Sequence, residues 1–124
     1  MKKVVILEDE LILAKLYQKK LTSAGYDVQT VENVDSAINV VKEYKPDLIL
    51  VDHGIRGKDK SGLDFIVEVK KISPDVVAVM LTNYSHNKLK DEVTKAGAAD
   101  FLIKLNTSPQ ILVEYVDKLF EKVK

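Results

Sequence analysis

Short apolar runs and stretches of helical period take turns along all 124 residues, and this alternation narrows the choice of fold more than any other feature of the chain. The runs at residues 4–7, 48–51 and 76–81 are unbroken and rich in β-branched side chains, as strands covered on both faces must be. Residues 28–31 and 101–103 are weaker runs of the same kind. Between the runs, apolar residues recur at helical spacing: Leu13, Leu16, Tyr17 and Leu21, then Val34, Ala37, Ile38 and Val41, then Leu112, Tyr115, Val116, Leu119 and Val123. Such stripes predict helices that each turn one face to a core. Stop signals follow at Gly25, Lys45-Pro46, Ser73-Pro74 and Gly97, while Asn33 and Ser108, the latter before Pro109, suit helix starts. The order βαβαβαβαβα predicts an α/β fold, a doubly wound five-stranded parallel sheet with helices on both faces.

No linker or low-complexity tract divides the chain, and its length suits one core, so residues 1–124 are expected to form a single domain with no second unit appended. Apolar residues make up 46%, enough for an ordinary core and too many for a disordered chain. Nineteen basic residues balance nineteen acidic ones and the signs are interspersed, so the cationic stripe that direct nucleic-acid binding needs is missing. The absence of cysteine excludes disulfides, thiolate metal sites and thiol nucleophiles. Glu8 and Asp9 interrupt the first apolar run too early for a signal peptide or a membrane span. A cytoplasmic protein without membrane association is expected, as a monomer or weak homodimer.

In a doubly wound sheet, ligands bind beyond the carboxyl ends of the strands. Here the first strand runs into Glu8 and Asp9, the third into Asp52, the fourth into Thr82 and the fifth into Lys104. Two carboxylates about 4 Å apart repel by about 4 kcal/mol at an effective dielectric near 20, so three converging acids need a cation. With oxygen donors only, a hard divalent ion such as Mg²⁺ is the expected cofactor. A cation, the Lys104 ammonium and the Thr82 hydroxyl around one carboxylate suit transfer of a phosphoryl group to that carboxylate.

Four motifs stand in order along the chain: Leu7-Glu8-Asp9-Glu10, Pro46-Asp47-Leu48-Ile49-Leu50-Val51-Asp52, Leu81-Thr82, and Ala96-Gly97-Ala98-Ala99-Asp100-Phe101-Leu102-Ile103-Lys104. Together they resemble the receiver (response regulator) domain of two-component signalling, over the whole length. The resemblance implies a flavodoxin-like (βα)5 fold with strand order 2-1-3-4-5. It implies that Asp52 accepts phosphate from a phosphohistidine on a sensor histidine kinase or phosphotransfer protein, with Thr82 and Lys104 as the other catalytic groups. Glu8, Asp9 and Asp52 would hold Mg²⁺ directly or through water, and the Gly54 carbonyl would complete the metal shell. Thr82 and Phe101 would form a switch that reshapes the face made by the fourth helix, fifth strand and fifth helix, where an unidentified downstream protein binds. On this reading the chain is a stand-alone response regulator that acts by contact and is no enzyme beyond promoting its own phosphorylation and dephosphorylation.

Several positions depart from the family pattern. The segment from Asp52 to Gly62 is longer than usual and carries Ile55-Arg56 where the family has a residue followed by proline, and Arg56, Lys58 and Lys60 make it basic. Arg56, Asn83 and Tyr84 are the loop residues expected to modulate the site. Asn83 replaces a small residue and should crowd the phosphoryl pocket. Gly54 offers no side chain to orient water and Tyr84 can shield the acyl phosphate, so self-dephosphorylation is expected to be slow. Leu105 stands where a proline joined by a cis bond is usual; a cis bond before leucine costs about 3 kcal/mol, so a trans bond is expected. His53 and His86 are expected to have no ligand role, and Tyr17, Tyr26, Tyr44 and Tyr115 to pack helix faces.

The same residues bear on other function classes. A phosphorylation-independent interaction module that keeps the receiver fold draws support from Leu105, Asn83 and the altered loop. A hydrolase working through an aspartyl phosphate is disfavoured, because Asp52-His53-Gly54 lacks a second acid to serve as general acid or base. Nucleotide or flavin binding is disfavoured too: no glycine-rich phosphate loop follows the first strand.

Overall fold

Each apolar run forms a parallel strand, and each stretch between runs forms a helix that crosses back over the sheet. The computed structural model describes residues 2–54, 61–83 and 88–123. Within them the order is β1 (Lys3–Leu7), α1 (Leu11–Ser23), β2 (Asp27–Val31), α2 (Val34–Tyr44), β3 (Leu48–Asp52), α3 (Gly62–Ile72), β4 (Val77–Thr82), α4 (Leu89–Ala96), β5 (Asp100–Ile103), a single 3-10 turn (Lys104–Asn106) and α5 (Pro109–Val123). The strands lie side by side as β2-β1-β3-β4-β5, all parallel, the order and fold class expected. Arg56, Lys58, Lys60, Tyr84 and His86, singled out in the sequence, lie outside the described residues.

Helix boundaries follow local chemistry. The Asn33 side chain accepts the Ser36 amide at 2.8 Å to open α2, Ser61 and Asp64 form a reciprocal capping box on α3, and the Ser108 hydroxyl accepts the Ile111 amide at 3.2 Å ahead of α5. Each such cap satisfies an amide that the helix itself cannot. Gly97 ends α4 at φ +104°, a backbone region where glycine meets no Cβ penalty. Lys45, before Pro46, ends α2 at φ +53°.

Two cores result. On one face of the sheet α2, α3 and α4 cover Val5, Leu7, Ile49, Val51, Ala78 and Met80. On the other, α1 and α5 cover Val4, Ile6, Leu48, Leu50, Val79 and Leu81. Alternate residues of the central strands serve opposite cores, as a period of two demands. Burying one such Val, Leu or Ile contributes roughly 1.5–3 kcal/mol.

The α1 stripe needs one correction. Leu16 does not face the core: it is 49% exposed, and Ala14, Tyr17 and Leu21 are the buried residues of this helix. Leu11 and Ile12 are exposed as well. A helix apolar on several sides has no single periodic solution, and the α5 side of the sheet selects the Ala14-Tyr17-Leu21 line.

At the head of α3 a Cβ on Gly62 would meet the Asp52 carbonyl oxygen at 2.8 Å and Val51 Cγ1 at 3.1 Å. The absence of a side chain there lets α3 rest directly on the last residues of β3.

Candidate functional site

Register gathers the polar strand ends. Leu7 pairs with Val51, so Glu8 and Asp52 follow side by side; Asp52 pairs with Leu81, and Thr82 with Ile103, which places Lys104 just beyond Thr82. Glu8, Asp52 and Thr82 are buried and Asp9 is exposed. Glu8, Asp9 and Asp52 each offer one carboxylate oxygen within 4.8 Å of the others. Lys104 reaches into this cluster: its Nζ lies 2.7 Å from Glu8 Oε1 and 3.1 Å from Asp52 Oδ1, with side chains no more than 8% exposed.

The main chain supplies the remaining contacts. The Glu10 amide donates to Glu8 Oε2 at 3.1 Å, and the Gly54 amide donates to Asp52 Oδ1 at 3.0 Å. Gly54 and Asn83 are both exposed at the rim. The chain has no cis peptide bond among the described residues, so Lys104-Leu105 is trans as expected. The segment turns through the 3-10 helix and still delivers the Lys104 ammonium to both acids.

Burial pushes the Glu8 carboxyl up to about 7, against the hydrogen bonds from Lys104 and the Glu10 amide, and the Asp52 charge adds to the rise. Burial also works against the charge on Lys104, but its bonds to Glu8 and Asp52 outweigh that and hold it above the ordinary lysine value. Both directions express one imbalance: a single ammonium serves two buried carboxylates, with a third acid beside them. The surplus negative charge is relieved by a proton on Glu8 or by a further cation. An all-oxygen donor set of this kind fits a hard divalent ion such as Mg²⁺.

Phe101 is half-buried against the α2–α4 core, and its amide donates to Asp100 Oδ1 at 2.8 Å. Tyr17, Tyr26, Tyr44 and Tyr115 pack against the two cores, and some also hydrogen-bond: Tyr26 to Asp117, and Tyr115 to Asp100 Oδ2 at 3.0 Å. His53, given no role from the sequence, has Nδ1 3.5 Å from Thr82 Oγ1. Extending the β3–β4 register by one residue past Asp52 and Leu81 makes His53 the neighbour of Thr82, the signal by which this contact was discoverable. Thr107, also passed over, is buried and bonded at both its hydroxyl and its main chain.

Comparison with known proteins agrees with this geometry. The model of the response regulator receiver domain matches residues 4–117. The chain is 31% identical over 119 residues to the chemotaxis protein CheY of Thermotoga maritima, covering 95% of this chain and 97% of that one. It is 37% identical over 99 residues to the regulatory protein LuxO of Vibrio cholerae, covering 80% of this chain and only 21% of that protein. A two-component response regulator from Clostridium difficile superposes with a TM-score of 0.91 at 18% identity, over 100% of this chain and 99% of the other. The match across nearly the whole sheet, on top of the acidic corner and its lysine, makes this chain a member of the response regulator receiver domain family of two-component signalling.

Proposed function

We propose that Asp52 is the phosphoryl acceptor of this receiver and that a sensor histidine kinase or phosphotransfer protein is the donor. The carrying observation is the bridging of Glu8 and Asp52 by the Lys104 ammonium within a cluster of three carboxylates. In the transfer, an Asp52 carboxylate oxygen attacks phosphorus, the phosphorus–nitrogen bond to the donor imidazole breaks, and its electron pair stays on that nitrogen. The product is an acyl phosphate on Asp52. Lys104, already 3.1 Å from Asp52 Oδ1, neutralises charge on the incoming phosphoryl oxygens, and the Thr82 hydroxyl donates to one of them. Glu8, Asp9, Asp52 and the Gly54 carbonyl are the groups that would hold Mg²⁺, which when bound lowers the repulsion between carboxylates and phosphoryl oxygens.

Thr82 drawn toward the phosphoryl group, with Phe101 following, would alter the face of α4, β5 and α5 and so the binding of a downstream protein. Gly54 favours a long-lived adduct, because no side chain stands there to direct water. A cytoplasmic signalling role belongs to the same proposal; no helix among the described residues is long and apolar enough to cross a membrane.

Intact mass before and after acetyl phosphate with Mg²⁺ tests the reading. The chain should gain the mass of one phosphoryl group, and Asp52→Asn should gain none. No gain in the parent chain would favour the phosphorylation-independent module, while an unchanged gain in Asp52→Asn would move the acceptor elsewhere.

A further inference from the structure

Lys104 opens its 3-10 turn with little behind it to fix its place. Leu105 is 88% exposed and Asn106 is exposed too, so neither anchors the turn by packing. The hold comes from Thr107. Its amide donates to the Lys104 carbonyl at 3.0 Å and its hydroxyl to the Ile103 carbonyl at 2.8 Å. Its own carbonyl accepts the Tyr17 hydroxyl at 2.9 Å, across 90 residues of sequence. Thr107 is 5% exposed and Tyr17 1%, so no water competes for these bonds and each partner would be left unsatisfied without the other.

The placement of Tyr17 gives the contact its significance. It sits in α1, whose first residue Leu11 follows Glu8 by only three positions. The same helix that continues from the acid of the Lys104–Glu8 bridge therefore grips the main chain just beyond the lysine. We infer that Tyr17 and Thr107 are positioning residues that set the reach of Lys104 to Glu8 and Asp52. This deepens the phosphoryl-acceptor reading and rests on it. A hydroxyl that only fills a buried vacancy would leave the lysine where it is when removed; a positioning hydroxyl would not.

The experiment uses the full chain, with beryllofluoride and Mg²⁺ as the phosphoryl probe and the NMR resonance of the Lys104 ammonium in metal-free protein as a second readout. Tyr17→Phe deletes one hydroxyl, Thr107→Val deletes the bond to Ile103 at nearly constant shape, and Thr107→Ser keeps it. Tyr17→Phe and Thr107→Val should each weaken beryllofluoride binding roughly fivefold to tenfold, the worth of one buried hydrogen bond, and should shift the ammonium resonance. Thr107→Ser should behave as the parent. Val69→Ala, in the core of the opposite face, should lower stability with both readouts unchanged. If the parent chain takes up no beryllofluoride, the phosphoryl-acceptor reading falls and the inference with it. If the parent binds while Tyr17→Phe binds as tightly with the resonance unmoved, or Val69→Ala weakens binding as much, the positioning role alone is overturned.

Discussion

The two ends of the sheet carry the same kinds of charged residue and use them differently. At the amino ends, the Asp47 carboxylate accepts the Lys3 amide at 2.8 Å, the Lys3 ammonium donates to the Tyr44 carbonyl at 3.2 Å, and the same ammonium lies 5.2 Å from the centre of the Tyr44 ring. Lys3, Tyr44 and Asp47 are each partly open to solvent. At the carboxyl ends, Glu8 and Asp52 are buried and share one lysine. Depth and imbalance, rather than residue type, separate a structural tie from a site with capacity for another cation.

Removing Lys104 should widen this contrast most. Lys104→Met should slow phosphorylation of Asp52 by acetyl phosphate roughly 100-fold, as loss of one transition-state donor does elsewhere, read from the time course of mass gain. A rate within a few-fold of the parent would show that the ammonium is idle at the transition state.

The Glu8 corner should give the next largest effect, in stability rather than rate. Folding raises the Glu8 carboxyl from 4.5 to about 7, so the folded chain binds that proton more tightly than the unfolded one. The resulting stabilisation is full below the unfolded value and is lost as pH rises through about 7. Metal-free protein should therefore lose about 2–3 kcal/mol between about pH 5 and about pH 8 in urea titrations. Glu8→Gln should flatten that slope, and Mg²⁺ should restore stability at the alkaline end by supplying the missing positive charge. A flat profile in the parent chain would mean that Lys104 alone balances the corner. Smallest of all, Asp47→Asn should cost about 1 kcal/mol and leave the rate of mass gain untouched; a slowed rate would break the distinction between the two ends.

The central strands were legible because burial on both sides leaves a continuous apolar run: all five residues of β3 are buried. β2 and β5 read more weakly because they are the edges, with only two of five residues buried in β2 and none in β5. Glu8, Asp9, Asp52 and Lys104 were legible as polar residues that close or directly follow an apolar run, since parallel pairing carries every such residue to one rim. The Tyr17–Thr107 bond was not, because it depends on where a 3-10 turn aims one main-chain carbonyl. Leu16 was misplaced for a related reason: which line of an apolar helix turns inward is decided by the neighbouring helix.

The seat of α3 on β3 restricts what position 62 can hold. The Asp52 carbonyl lies 2.8 Å from where a methyl on Gly62 would stand, so any larger residue there would have to push the helix head off the strand that carries the Asp52 carboxylate. The spacing between this helix and the acid-bearing strand is thus set by a side chain that is missing.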